Sequence, residues 1–187
     1  MDEFSYLSVL LSVVIGLALT EILKGFRGRM LSPAPVKRYW PTQLWAITLL
    51  LVCTQTWWAM FGLRARHDWA FDDFLVLLAQ TILLYLICGI VFPDFDGDRP
   101  VDLREHYFAQ RKRFFALLCA VVLMSIVRDV VLHHALPERH NLVFHCIYLV
   151  TAVIAIITPN EWYHKGLAAF ICAVFVRYIV SLFDKLQ

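Results

Sequence analysis

Charge is scarce in this chain. Asp, Glu, Lys and Arg make up 17% of the residues, where about 25% is usual in soluble domains. That shortage argues against an ordinary soluble globule, and the 60% apolar content excludes a disordered chain. An excess of one sign is also missing, since 17 cations against 15 acids leave +2, which is too even for a nucleic-acid binder. The sequence holds no N-x-S/T sequon, C-x-x-C pair, H-E-x-x-H, G-x-S-x-G, P-loop or G-x-G-x-x-G, so no established catalytic signature points to an enzyme, and a non-enzyme is favoured. The five cysteines, Cys53, Cys88, Cys119, Cys146 and Cys172, all fall inside apolar stretches and read as small buried hydrophobes rather than disulfides or metal ligands.

Long apolar runs take the place of charge. A bilayer core about 30 Å thick needs roughly 20 apolar residues in a helix. Six runs qualify, at 4–23, 40–63, 71–92, 114–132, 142–158 and 162–183. The expected fold is therefore all-α: one transmembrane domain over 1–187, a bundle of six spanning helices. The last two runs are parted by Pro159, Asn160 and Glu161. Thr158 reads as a helix cap there, with Pro159 at the first helical position and Glu161 at the third. One long kinked segment, giving five spans, is the weaker alternative.

Loop charge sets the expected orientation. Residues 24–39 carry Lys24, Arg27, Arg29, Lys37 and Arg38, and residues 93–113 carry Arg99, Arg104, Arg111, Lys112 and Arg113; Lys165 lies on the same side. The other side has Arg64, Arg66, Arg139 and Lys185. Cytoplasmic loops are the Lys/Arg-rich ones, so both termini are expected outside. The acidic start Met-Asp-Glu does not resemble a signal-peptide n-region. Compact loops and the missing sequons fit a bacterial inner membrane. The stretch 103–115 mixes aromatics with cations and reads as an interfacial helix touching anionic headgroups.

Four features are candidates for function. Ser8, Ser12, Gly16 and Thr20 recur every four residues in the first run. Such a stripe lets another helix approach closely, within the molecule or in a homo-oligomer. The second feature is a set of charges inside the runs, Arg128, Asp129 and Arg177, with Asp72 and Asp73 at a similar level. Arg128 and Asp129 point about 100° apart as helix neighbours, so Asp129 is expected to pair with Arg177, and Arg128 with Asp72 or Asp73. Gln55, Gln80, His145, Tyr148 and Thr151 share that half of the bundle. Together they predict a polar wedge between helices two to six, either a structural ring of ion pairs or a solute site.

The third feature is a crowd of histidines, His133, His134, His140 and His145, with Glu138 and His67 nearby. Zinc or copper is the metal chemistry such groups suit, but no fixed ligand spacing supports it and no cofactor is expected. The fourth is the loop 94–105, which resembles an EF-hand calcium loop in its oxygens at Asp94, Asp96, Asp98, Asp102 and Glu105. Arg99 stands where the sharp turn wants Gly, so a helix start capped by Asp102 is the stronger reading. Arg128, His134 and Glu138 also resemble, in spacing alone, one motif of the type-2 phosphatidic acid phosphatases. That family's K-x6-R-P and P-S-G-H motifs are absent, and no activity is carried over. The leading expectation is a transporter- or channel-like protein for an ion or small polar solute, its site formed by Arg128, Asp129, Arg177, Gln55, Gln80, Asp72 and Asp73. The alternative is a non-catalytic membrane partner or sensor subunit that acts through helix packing and basic cytoplasmic loops.

Overall fold

A computed structural model describes residues 3–66, 68–95 and 100–183. These residues are nearly all helical. In chain order they form α1 (Glu3–Leu31), β1 (Val36–Lys37), α2 (Trp40–Phe61) with a 3-10 turn at Gly62–Ala65, α3 (Phe71–Gly89), β2 (Val101–Asp102), α4 (Leu103–His133), α5 (Arg139–Ile157) and α6 (Glu161–Phe183). Four stretches are long and apolar enough to cross a membrane: Phe4–Leu31, Trp40–Arg64, Phe71–Gly89 and Leu103–His133. A fifth, Asn141–Ile157, is apolar and shorter.

Helix α3 stops at Gly89 rather than 92 and α5 starts at Arg139 rather than 142, and three further differences from the sequence expectation have clear causes. Helix α1 runs eight residues past 23, because the cations of 24–31 are good helix formers that reach outward while the backbone ladder continues. The stretch 103–115 is no separate interfacial helix. It is the first three turns of α4, since nothing in it breaks the ladder. Asp102 caps this long helix, its carboxylate accepting the N–H groups of Arg104 at 2.8 Å and Glu105 at 3.2 Å. The α5–α6 break is present, but its cap is Asn160 rather than Thr158: Asn160 Oδ1 accepts the Trp162 N–H at 2.9 Å. A feature absent from the sequence reading is the short parallel pairing of β1 with β2, Val36 opposite Val101 and Lys37 opposite Asp102.

The helices form a ring. Helix α1 packs along α3 and touches α2; α3 lies along α4, α4 along α5, and α6 along α2. The ring is thinnest between α5 and α6, which share little contact despite being consecutive. Helix α1 buries Leu11, Ile15, Ala18 and Ile22, spaced four, three and four residues apart, which is one helix face. That face corrects the expectation for the small-residue stripe within the molecule. Ser12, Gly16 and Thr20 are exposed, Ser8 and Thr20 turn their hydroxyls onto their own helix's carbonyls, and a methyl on Gly16 would meet nothing within 4 Å. The close approach uses two other glycines, with Gly25 against Phe92 and Gly28 against Phe95.

The end carrying the basic loops is tied by charge. Lys37 Nζ meets Asp102 Oδ2 at 2.8 Å. Glu161 takes Lys165 on one oxygen and Arg104 on the other, each at 2.8 Å. The Lys37 ammonium, then the cap N–H groups, hold the Asp102 carboxyl below its ordinary range. Lys165, then Arg104, do the same for Glu161. Beneath them Trp45 stacks edge-on against Phe114 and Phe115, with ring centres 5.1 and 5.6 Å away. His164 is fully buried. Its Nε2 donates to the Thr158 carbonyl at 2.8 Å, so its Nδ1 accepts the Tyr107 hydroxyl at 3.0 Å.

Gly25→Ala places its new carbon 2.8 Å from Phe92 Cβ and should lower stability by about 1–3 kcal/mol, the usual range for overpacking. Gly16→Ala should leave the melting temperature in detergent unchanged or slightly raised. Because the Asp102 and Glu161 pKa values are depressed, their pairs add stability above the unfolded carboxylate values of about 4 and lose it as pH falls through the folded ones. Lys37 and Arg104 are exposed and Lys165 is half-buried, which keeps this contribution modest. Glu161→Gln with Asp102→Asn should flatten the melting temperature against pH below about 4, leaving only the loss due to other carboxylates.

Candidate functional site

Helices α2 to α6 line a partly open cavity of ≈280 Å³. Its wall residues keep helical spacing: Leu118, Val121, Val122, Ser125, Arg128 and Asp129 on α4 lie one to four residues apart along one face. Its chemistry is graded along the helix axes. Toward the basic loops the wall is Trp45, Leu49, Leu84, Ile87 and Leu118. Toward the far end it is Gln55, Gln80, Arg128, Asp129 and His145. On α2 the change from Trp45 to Gln55 covers ten residues, about 15 Å of rise. The step from Leu118 to Arg128 on α4 is the same length.

The far end is neutralised within α4. Arg128 donates through Nη2 and Nε to Asp129 Oδ1, at 2.7 and 3.1 Å, and through Nη1 to Gln80 Oε1 at 3.3 Å. The expected pairings do not occur. Helix neighbours diverge at Cβ, yet the long arginine side chain folds its guanidinium back onto the adjacent carboxylate, which the 100° argument overlooked. Arg177 is exposed and does not line the cavity. Asp72 is exposed at the start of α3. Asp73 is buried and is held elsewhere: its Oδ2 accepts Arg66 Nη2 at 2.7 Å and the Ala70 N–H at 3.1 Å. Thus Gln55, Gln80, Arg128 and Asp129 come together, and Arg177, Asp72 and Asp73 stand apart.

His145 also lines this end. Its Nδ1 donates to the Asn141 carbonyl at 2.7 Å, which leaves Nε2 to accept the Ser125 hydroxyl at 3.3 Å. Both ring nitrogens are therefore engaged. His133 and His134 are exposed at the end of α4, and His134 closes that helix in the left-handed region at φ 51°. The His140 side chain and all of His67 lie outside the described residues. Among the described residues no three His, Cys, Asp or Glu side chains gather around one metal position. Of the calcium-loop candidates, Asp96, Asp98 and Arg99 lie outside the described residues. Asp102 is occupied as a helix cap and by Lys37.

Ser125 and Arg66 were missed in the sequence. Ser125 lies three residues before Arg128 on the same face, so helical spacing was enough to find it. Arg66 looked like a loop cation. It donates to Asp73, to the Asp68 carbonyl at 2.9 Å and to the Leu132 carbonyl at 2.8 Å, contacts that only the folded chain displays. Comparison with protein-family models, with curated proteins and with solved structures finds no match to this chain.

Asp129→Asn and Arg128→Gln should each lower stability by about 1.5–3 kcal/mol, the range for a lost hydrogen bond to a charged group. A double-mutant cycle between the two positions should give coupling of about 0.5–3 kcal/mol. The same cycle between Asp129 and Arg177 should give none. Coupling to Arg177 instead would restore the pairing expected from sequence.

Proposed function

We propose that this chain is a six-span protein of a bacterial inner membrane, with both termini outside, and that the cavity among α2 to α6 is the solute site of a small transporter-like protein. The cavity itself carries this reading. A tightly packed structural bundle would fill that space with side chains, whereas here a void of ≈280 Å³, close to the lower limit of about 300 Å³ for ligand pockets, has its polar groups converging at one end. Positive-inside loop charge supports the orientation. The second reading, a partner or sensor subunit, draws on a different observation. The helices are continuous through the bundle, with no cis peptide bond or glycine in the left-handed region among the described residues, whereas alternating-access carriers commonly break theirs at the site. Ser12, Gly16 and Thr20, exposed on α1, remain available to a second copy or partner.

Cysteine labelling tests the site and its orientation together. In a variant lacking the five natural cysteines, Ser125→Cys should react with a membrane-impermeant thiosulfonate added outside intact cells. Leu123→Cys, two residues away on the exposed face of α4, should not react. Reaction of Ser125→Cys only after the inner face is opened would reverse the topology, and no reaction from either face would remove the solvated site.

A further inference from the structure

The chemistry of the cavity wall is informative about the solute. We infer that the cavity takes a single-chain amphiphile with an uncharged hydrogen-bonding head, head at the Arg128–Asp129 end and tail toward Trp45, admitted from the lipid between α5 and α6. This rests on the cavity being a ligand site.

Three observations converge on it. First, the polarity gradient has the same sense on three helices: Trp45 to Gln55 on α2, Ile87 to Gln80 on α3 and Leu118 to Arg128 on α4. An ion or a sugar would have no use for the apolar end of a cavity whose lining runs about 15 Å by helix rise from Trp45 to Gln55. A space of ≈280 Å³ lined along that depth has room for one alkyl chain and not for a two-chain lipid.

Second, the polar end has no net charge to offer. The Arg128 guanidinium is closed on Asp129 and Gln80, and both His145 nitrogens are bonded. A charged head would have to break the ion pair and leave one partner unneutralised. A hydroxyl or amide head would not. Gln55 forms no hydrogen bond with any described residue, which leaves its amide free to donate to and accept from such a head.

Third, the wall is weakest at one seam. Helix α5 packs on α4 and α6 packs on α2, while α5 and α6 make little contact with each other. Phe144 and Tyr148 on α5 face the cavity, as do Val174 and Phe175 on α6. A chain leaving the bilayer would therefore pass between these apolar and aromatic side chains.

The test uses the full chain in phosphatidylcholine nanodiscs with a long-chain fatty alcohol bearing a diazirine on its tail. Illumination should attach the probe to peptides containing Leu49 or Leu118. Counted by free aqueous concentration, unlabelled 1-alkanols should compete about fourfold better per added methylene until the tail reaches Trp45, and no better beyond. Alkyltrimethylammonium of equal length should compete at least tenfold more weakly than the alcohol. Val121→Trp and, independently, Leu118→Trp should each cut labelling at least tenfold while the melting temperature stays within a few degrees. Labelling confined to lipid-facing residues such as Val150, or untouched by both tryptophans in folded protein, overturns the inference. If Ser125→Cys is water-accessible and the alcohol still fails to label, the solute is small and polar, and the amphiphile alone falls. If both fail, the cavity is not a ligand site.

Discussion

Helix C-termini are the constraint on which this structure turns. Each helix leaves its last carbonyls without intrahelical donors, and apolar surroundings offer no water to satisfy them. At three successive helix ends, a side chain from another element does so. His106 Nε2 donates to the Ile90 carbonyl after α3 at 3.0 Å. Arg66 donates to Leu132 at the end of α4. At the end of α5, Arg111 reaches the Ile156 carbonyl at 3.4 Å and His164 that of Thr158 at 2.8 Å. Cationic or imidazole donors suit the negative end of the helix dipole. Because each donor belongs to a different element, every cap also fixes the relative height of two pieces of chain.

That coupling explains how the cavity keeps its shape. Arg66 ties the loop before α3 to both Asp73 and the end of α4, which aligns α3 with α4 and brings Gln80 level with Arg128. At the opposite end the β1–β2 pairing, with Lys37 on Asp102, joins the two basic loops. The ring is thus fastened at both rims, and its middle can stay open without collapsing onto the void.

The existence and order of six helices were legible in the sequence because hydropathy over about 20 residues is a strong signal. Their ends were less so. Lysine and arginine do not stop a helix, so α1 and α4 ran further than their apolar cores. The polar cluster was legible because Arg128, Asp129, Gln55 and Gln80 are conspicuous in apolar runs. Its wiring was not: the sequence shows where a side chain starts and not where a flexible guanidinium ends, so Arg128 was assigned to the wrong carboxylate and Arg66 to no role. The small-residue stripe misled for a related reason. Small residues permit contact, but the buried face of α1 is chosen by Leu11, Ile15 and Ile22, whose larger side chains make many more packing contacts.

His164 has one more consequence. With Nε2 donating to the Thr158 carbonyl, Nδ1 accepting the Tyr107 hydroxyl, and Tyr163 Oη donating to the Thr151 carbonyl at 2.8 Å, the corner where α5 becomes α6 is pinned from both sides. The two helices diverge from that fixed corner and lean on different neighbours, α5 on α4 and α6 on α2. Any change of angle there would displace their far ends more than their roots, so the aromatic packing at the basic end is the part such a change would touch least.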